Sequence, residues 1–434
     1  MEELVTLRVF HHTPNPSTMN RRTFLRNVSA IPLSAPLLGN ALVELAKDAR
    51  ISASMWTYLW DLVDEGYGPA LARMKENGLT AVSLATAYHA GKFLLPHNPK
   101  EKVYFPEDGT VYFDPDPALY RRITPFVNSL VTQGHGLTSV RKAAERADMR
   151  TNAWIVCCHN TPLGTKYPDI ACETAFGDKV RHNLCPSNAD VRHYLRALVR
   201  DVANHGVERI ELEALQFQGY THGYHHEREG IPLGGMMTFL LGLCFCPSCM
   251  KNAVTAKVNI NRVRDFVRTT LEAHFEDPGT MSEQYKSLDD LPPEIFQPFL
   301  EWRVSVVASL AREILESTDR TGVHVRPLVS IDPVARVMVG VNPGKIASTT
   351  GGFLVPGYVK DGDALREPLR ALQAQAGAGE VIVGLQVGLP GSGGETEFLS
   401  RLQAARDLGV RNFNFYNYGF IPLKNLAWIK RGLG

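Results

Sequence analysis

Glu211 and Glu213 stand two residues apart in the stretch Arg209-Ile-Glu-Leu-Glu213, and that spacing decides what they can do. In an extended strand alternate side chains share a face, so both carboxylates point one way while Ile210 and Leu212 point the other. Cleaving a glycosidic bond takes one carboxylic acid to protonate the leaving oxygen and a second carboxylate to attack or to activate water. Glu213, at the strand's end, is the candidate acid. Asp332, at the end of a later apolar run, is the second carboxylate by position, with Glu211 behind it. Two structural roles compete for the same residues. A glutamate inside a barrel can pair with an arginine, and Asp332 before Pro333 suits a helix N-cap.

The elements that would position these groups recur along the chain. Apolar runs at Ile51–Trp56, Thr80–Thr86, Thr151–Cys157, Glu208–Glu213, Val323–Ile331, Gly352–Val355, Val381–Gln386 and Arg411–Tyr416 alternate with amphipathic segments. Strict strand and helix alternation that ends in a helix predicts a (β/α)8 TIM barrel of mixed α/β class, with long loops after strands two and four. No Gly-x-Gly-x-x-Gly follows the first strand and no Gly-Lys-Ser/Thr loop is present, which argues against nucleotide chemistry. In such a barrel the carboxyl ends of the strands form the active-site mouth. Here they offer Trp56, Tyr88, His89, His159, Tyr358, Gln386, Asn414, Tyr416 and Asn417. Aromatic faces stack on sugar rings and amides bind hydroxyls, so this rim suits a neutral oligo- or polysaccharide. Strand seven ends in Gln386 where a retaining barrel enzyme of the common type carries its nucleophile, which speaks against that mechanism.

Cys244-Phe-Cys-Pro-Ser-Cys249 is a second constellation. Cys244, Cys246 and Cys249 suit a structural zinc, with Cys185, His222 or His226 as fourth ligand. In an exported chain a disulfide is the rival, and buried free thiols are a third outcome. Acid–base hydrolysis requires no cofactor. The histidines His222, His225 and His226 admit a different reading, a metal-dependent sugar isomerase or epimerase built on Glu213, His159, Asp332 and His226. A barrel that binds carbohydrate without cleaving it is the non-enzymatic alternative.

Residues 1–49 read as an N-terminal extension and signal, and residues 50–434 as the barrel. Asn20-Arg21-Arg22-Thr23-Phe24-Leu25, followed by a weakly apolar run to Val43, resembles a twin-arginine (Tat) export signal, with Met19 as a natural start. The Tat translocase is then a transient partner, and the mature protein is periplasmic or extracellular. The apolar run, interrupted by Pro32, Pro36 and Gly39, is too short for a stable membrane span. With 46 basic and 45 acidic residues, a net charge of +1 gives no footprint for nucleic acid.

From Ile51 onward the chain resembles the exported glycoside-hydrolase-like TIM-barrel proteins of bacteria. The residues that carry the resemblance are Asn183-Leu-Cys-Pro-Ser-Asn188, Arg209-Ile-Glu-Leu-Glu213, Cys244-Phe-Cys-Pro-Ser-Cys249 and Asn412-Phe-Asn-Phe-Tyr-Asn-Tyr-Gly419. It implies a carbohydrate-active barrel with its acid near the end of strand four, here Glu213.

Overall fold

Eight parallel strands close into a barrel, each formed by one of the apolar runs. They are β1 (Ser52–Thr57), β2 (Ala81–Tyr88), β3 (Arg150–Val156), β4 (Arg209–Glu213), β5 (His324–Pro327), β6 (Gly352–Pro356), β7 (Glu380–Gln386) and β8 (Asn412–Tyr416). The computed structural model describes residues 51–221 and 227–434. The twin-arginine segment and His222, His225 and His226 lie outside them.

Neighbouring strands follow chain order from β1 to β5 and from β6 to β8. The ring closes in two places. Strand β1 pairs with β8 in the register Ser54↔Asn414, and beyond β5 a bridge joins Leu328 to Leu354 of β6. The chain order and parallel direction are those of a TIM barrel.

Turn and cap chemistry sets where the helices start. Asn188 accepts from the backbone N–H groups of Asp190 and Val191 and opens Ala189–Asn204, the helix that returns from β3. The long segment after β4 divides into Ile260–Glu276 and Pro293–Ser317, separated by the proline-containing break around Pro278. No helix among the described residues is long and apolar enough to cross a membrane.

The loops are more structured than their composition announces. After β2, Thr110–Val111 pairs antiparallel with the end of that strand, and Phe93–Leu94 pairs with Val103–Tyr104. After β3 a hairpin of Ala171–Glu173 and Lys179–Leu184 precedes the returning helix. These insertions stand at the carboxyl ends of the strands, where the predicted site lies.

Candidate active site

Strand β4 sends Arg209, Glu211 and Glu213 inward at successive heights, and each meets a different environment. Lowest, the Arg209 guanidinium donates to Ser54 Oγ at 3.2 Å, and Ser54 donates to Asn414 Oδ1 at 2.7 Å. One layer up, Glu211 is fully buried. Its Oε2 accepts from Trp56 Nε1 and Ser83 Oγ, both at 2.7 Å, and its Oε1 accepts from Arg209 Nε and Nη2 at 3.0 and 2.8 Å. With both oxygens engaged and no exposure, Glu211 is a structural counter-ion. Trp56 crosses the interior because β7 has Gly384 there, where a Cβ would lie 2.8 Å from the indole ring.

Glu213 is at the top and partly exposed. Its Oε2 accepts from Trp154 Nε1 at 2.7 Å. Burial pushes its carboxyl above the ordinary range, against the opposing pull of His89 and of the Trp154 hydrogen bond. A carboxyl with a raised pKa at the mouth of a barrel is suited to hold a proton and deliver it.

Tyrosines surround it. Tyr58 donates its hydroxyl to that of Tyr88 at 3.0 Å, and its oxygen lies 3.5 Å from that of Tyr416. The Trp154 ring contacts Tyr88 and Tyr416 at centroid distances of 4.9 and 6.1 Å. Tyr358, 37% exposed, lies 6.1 Å from Tyr416. Burial raises all these phenols, and the Glu213 charge adds to the rise at Tyr88, Tyr416 and Tyr358; Tyr416 is pushed up to about 12. They therefore remain neutral hydrogen-bond donors at any working pH. His89 stacks on Tyr88 at 4.3 Å and faces His159 at 4.7 Å. Its Nδ1 donates to Ala90 O at 2.7 Å, which leaves Nε2 for a ligand.

Among the expected site residues, Glu213, Tyr88, His89, His159, Tyr358 and Tyr416 are thus brought to one mouth, and Gln386 stands beside Tyr416 in the β7–β8 register. Others are occupied elsewhere. Trp56 lies under the floor at 1% exposure, and Asn414 is fully buried in the lowest layer. Asn417 is buried and accepts from Gly419 N. Asp332 is exposed and accepts from Val334 N and Ala335 N at 2.8 and 3.3 Å, which is the N-cap geometry. Of the four-residue isomerase set, Asp332 serves this cap, and His226 lies outside the described residues.

Two groups at the mouth were not expected. Trp154 shares the inward face of β3 with Asn152, and that parity with a polar residue was the available signal. Asp108, partly exposed in the loop after β2, accepts from Ala90 N at 2.9 Å and so stands next to the His89 segment. Behind Tyr58, the fully buried Asp61 accepts from Tyr58 N, and burial raises its carboxyl to about 7.

One group of metal-ligating side chains is present among the described residues. The sulfur atoms of Cys185, Cys244, Cys246 and Cys249 lie within 4.8 Å of one another, all buried and none in a disulfide. Cys185 is the fourth member of the cluster.

No family model and no curated protein matches the chain by sequence. Solved structures do match in shape. The PgaB (BpsB) glycoside hydrolase domain from Bordetella bronchiseptica superposes with a TM-score of 0.52 at 14% identity, covering 85% of this chain and 95% of that one. In fold, the chain resembles glycoside hydrolase domains. The β-galactosidase from Marinomonas ef1 gives 0.52 at 8% identity over 88% of this chain, and alpha-L-fucosidase isoenzyme 2 from Paenibacillus thiaminolyticus gives 0.50 at 13% identity over 88%. The chain spans 59% and 49% of those two proteins respectively.

Proposed function

We propose that this barrel is a glycoside hydrolase acting on a neutral oligo- or polysaccharide, with Glu213 as its general acid. The observation that carries the proposal is the environment of Glu213: a partly exposed carboxyl whose pKa is raised by burial, fixed by Trp154 and ringed by neutral phenols. Its protonated form donates to the leaving oxygen while Tyr88, Tyr358 and Tyr416 offer aromatic surface and hydroxyls to the sugar. The structural neighbours, named as a glycoside hydrolase domain, a galactosidase and a fucosidase, agree with that reaction class.

Glu211 is saturated by its donors and Asp332 by its cap, so the second carboxylate is sought in the loop after β2. Asp108 is our candidate, held by Ala90 N beside His89. Acid–base hydrolysis of this kind calls for no cofactor. On the twin-arginine reading the enzyme works outside the cytoplasm, and replacing Arg21 and Arg22 by lysines would retain it inside.

The test is turnover of a panel of aryl glycosides and unmodified polysaccharides by the purified protein, compared with Glu213→Gln. Hydrolysis lost in Glu213→Gln while the glycan still binds supports the enzyme. Binding without turnover by the unmodified protein would instead make it a carbohydrate-binding barrel.

A further inference from the structure

We propose that Cys185, Cys244, Cys246 and Cys249 hold one structural zinc ion as a tetrathiolate, and that the buried guanidinium of Arg303 balances its charge. This goes beyond the glycosidase reading and does not depend on it.

The geometry comes first. From Cys185 Sγ the other three sulfurs lie 3.4 Å (Cys249), 3.5 Å (Cys246) and 3.9 Å (Cys244) away. A zinc ion with Zn–S bonds of about 2.3 Å spaces its tetrahedral ligands about 3.8 Å apart. A disulfide would draw one pair to about 2.05 Å and leave the other two aside. Three near-equal neighbours around one sulfur, with all four within 4.8 Å of one another, fit a tetrahedral site. As thiols these groups would be weak donors to one another, with little to hold four of them together in the core.

The charge gives a second, independent observation. A zinc tetrathiolate carries two net negative charges, and an uncompensated charge in a protein interior is costly. Arg303, in the middle of Pro293–Ser317, is 1% exposed and makes no ion pair with any described carboxylate. Its Nη1 donates to Met338 O at 2.7 Å, its Nε has no partner, and its guanidinium lies 4.5 Å from the Phe217 ring centre. The guanidinium also lies 5.9 Å from the Phe299 ring centre, and Phe299 stacks at 6.3 Å on Phe245, which stands between Cys244 and Cys246. A cation without a carboxylate and a thiol cluster without a cation therefore stand together, and an anionic metal centre accounts for both.

Zinc binding as thiolates releases the cysteine protons to solvent. The ion would tie the segment after β3, which carries Cys185, to the segment after β4, which carries the other three. Those are the strands that place Trp154 and Glu213.

The experiment is elemental analysis of the full chain, expressed with zinc in the medium and purified without chelator, together with Co2+ substitution. We expect one zinc per chain, a tetrahedral thiolate spectrum with Co2+, loss of zinc in Cys246→Ser, and retention in Cys158→Ser, a buried cysteine outside the cluster. If Cys246→Ser fails to fold, the Co2+ spectrum of the unmodified protein carries the test. Arg303→Met should weaken zinc retention against a competing chelator by about 10- to 100-fold, with Arg303→Lys closer to the unmodified protein. Metal-free protein, stoichiometric iron, or a disulfide at Cys185 would overturn the zinc site; unchanged retention in Arg303→Met would overturn the role of Arg303.

Discussion

Trp154 Nε1 donates to Glu213 Oε2 at 2.7 Å, and one layer lower Trp56 Nε1 donates to Glu211 Oε2 at the same distance. The two glutamates thus share an indole partner and a strand face and differ in everything else. Glu211 adds Ser83 and both nitrogens of an Arg209 fork; Glu213 has one further feature, partial exposure. On our proposal that difference gives the lower residue a structural role and the upper one the chemistry.

Glu211→Gln should therefore damage stability. It keeps the side-chain volume but leaves Arg209 buried without its counter-charge, a loss of about 3–5 kcal/mol. Thermal or urea unfolding measures it. A Glu211→Gln variant as stable as the parent would remove the counter-ion role.

Trp154→Phe keeps an aromatic ring under the site and deletes the hydrogen bond that favours ionised Glu213. The Glu213 pKa should rise further, and the alkaline limb of the pH–rate profile should move to higher pH. A limb that stays in place or moves down would show that Trp154 does not tune the acid.

Asp332→Ala should cost about 1 kcal/mol of stability through loss of the cap on Pro333–Val339 and leave turnover unchanged. A large fall in kcat with an unchanged melting temperature would restore Asp332 to the reaction.

Asp61 makes stability depend on pH in a defined window. Its folded pKa, about 7, lies above the unfolded carboxylate value, so the folded state holds the proton more tightly. Its contribution is most favourable below about pH 4, declines as pH rises toward 7, and is flat beyond, a change on the order of 4 kcal/mol. His97, which burial lowers but its bonds to Glu65 and Tyr418 O raise on balance, adds stability that persists below about 6.5 and is lost as pH rises through its folded value. Melting temperatures from pH 4.5 to 8 should show Asp61→Asn flattening the lower part of the slope and leaving the His97 part. An unaltered slope would contradict the buried carboxyl.

Most of the barrel was legible in the sequence because each strand is an apolar run bounded by turn residues, and all eight runs became strands within a few residues of the expected ends. The site was legible only in part. Alternation along Arg209–Glu213 put two carboxylates on one face, but their different surroundings come from packing against β1 and β2 for Glu211 and against β3 for Glu213. Asp332 before Pro333 fits a cap and a catalytic position equally as sequence, and only its backbone partners distinguish them. Asn414 and Trp56 sit at strand ends by number yet face the interior below the mouth. Cys185 lies 59 residues from Cys244, and no local spacing could prefer it over the nearby histidines.

Proton donation by Glu213 is the step on which our proposal rests. It is tested most directly by the leaving-group dependence of hydrolysis in Glu213→Gln and the unmodified protein, with aryl glycosides whose phenols range from strongly acidic to weakly acidic. Losses in kcat of about 10²- to 10⁴-fold are expected for the weakly acidic phenols, which need protonation, and much smaller losses for the strongly acidic ones. The alkaline limb of the pH profile should also disappear in the variant. Equal turnover by the two proteins across the series, with the limb retained, would contradict that role for Glu213.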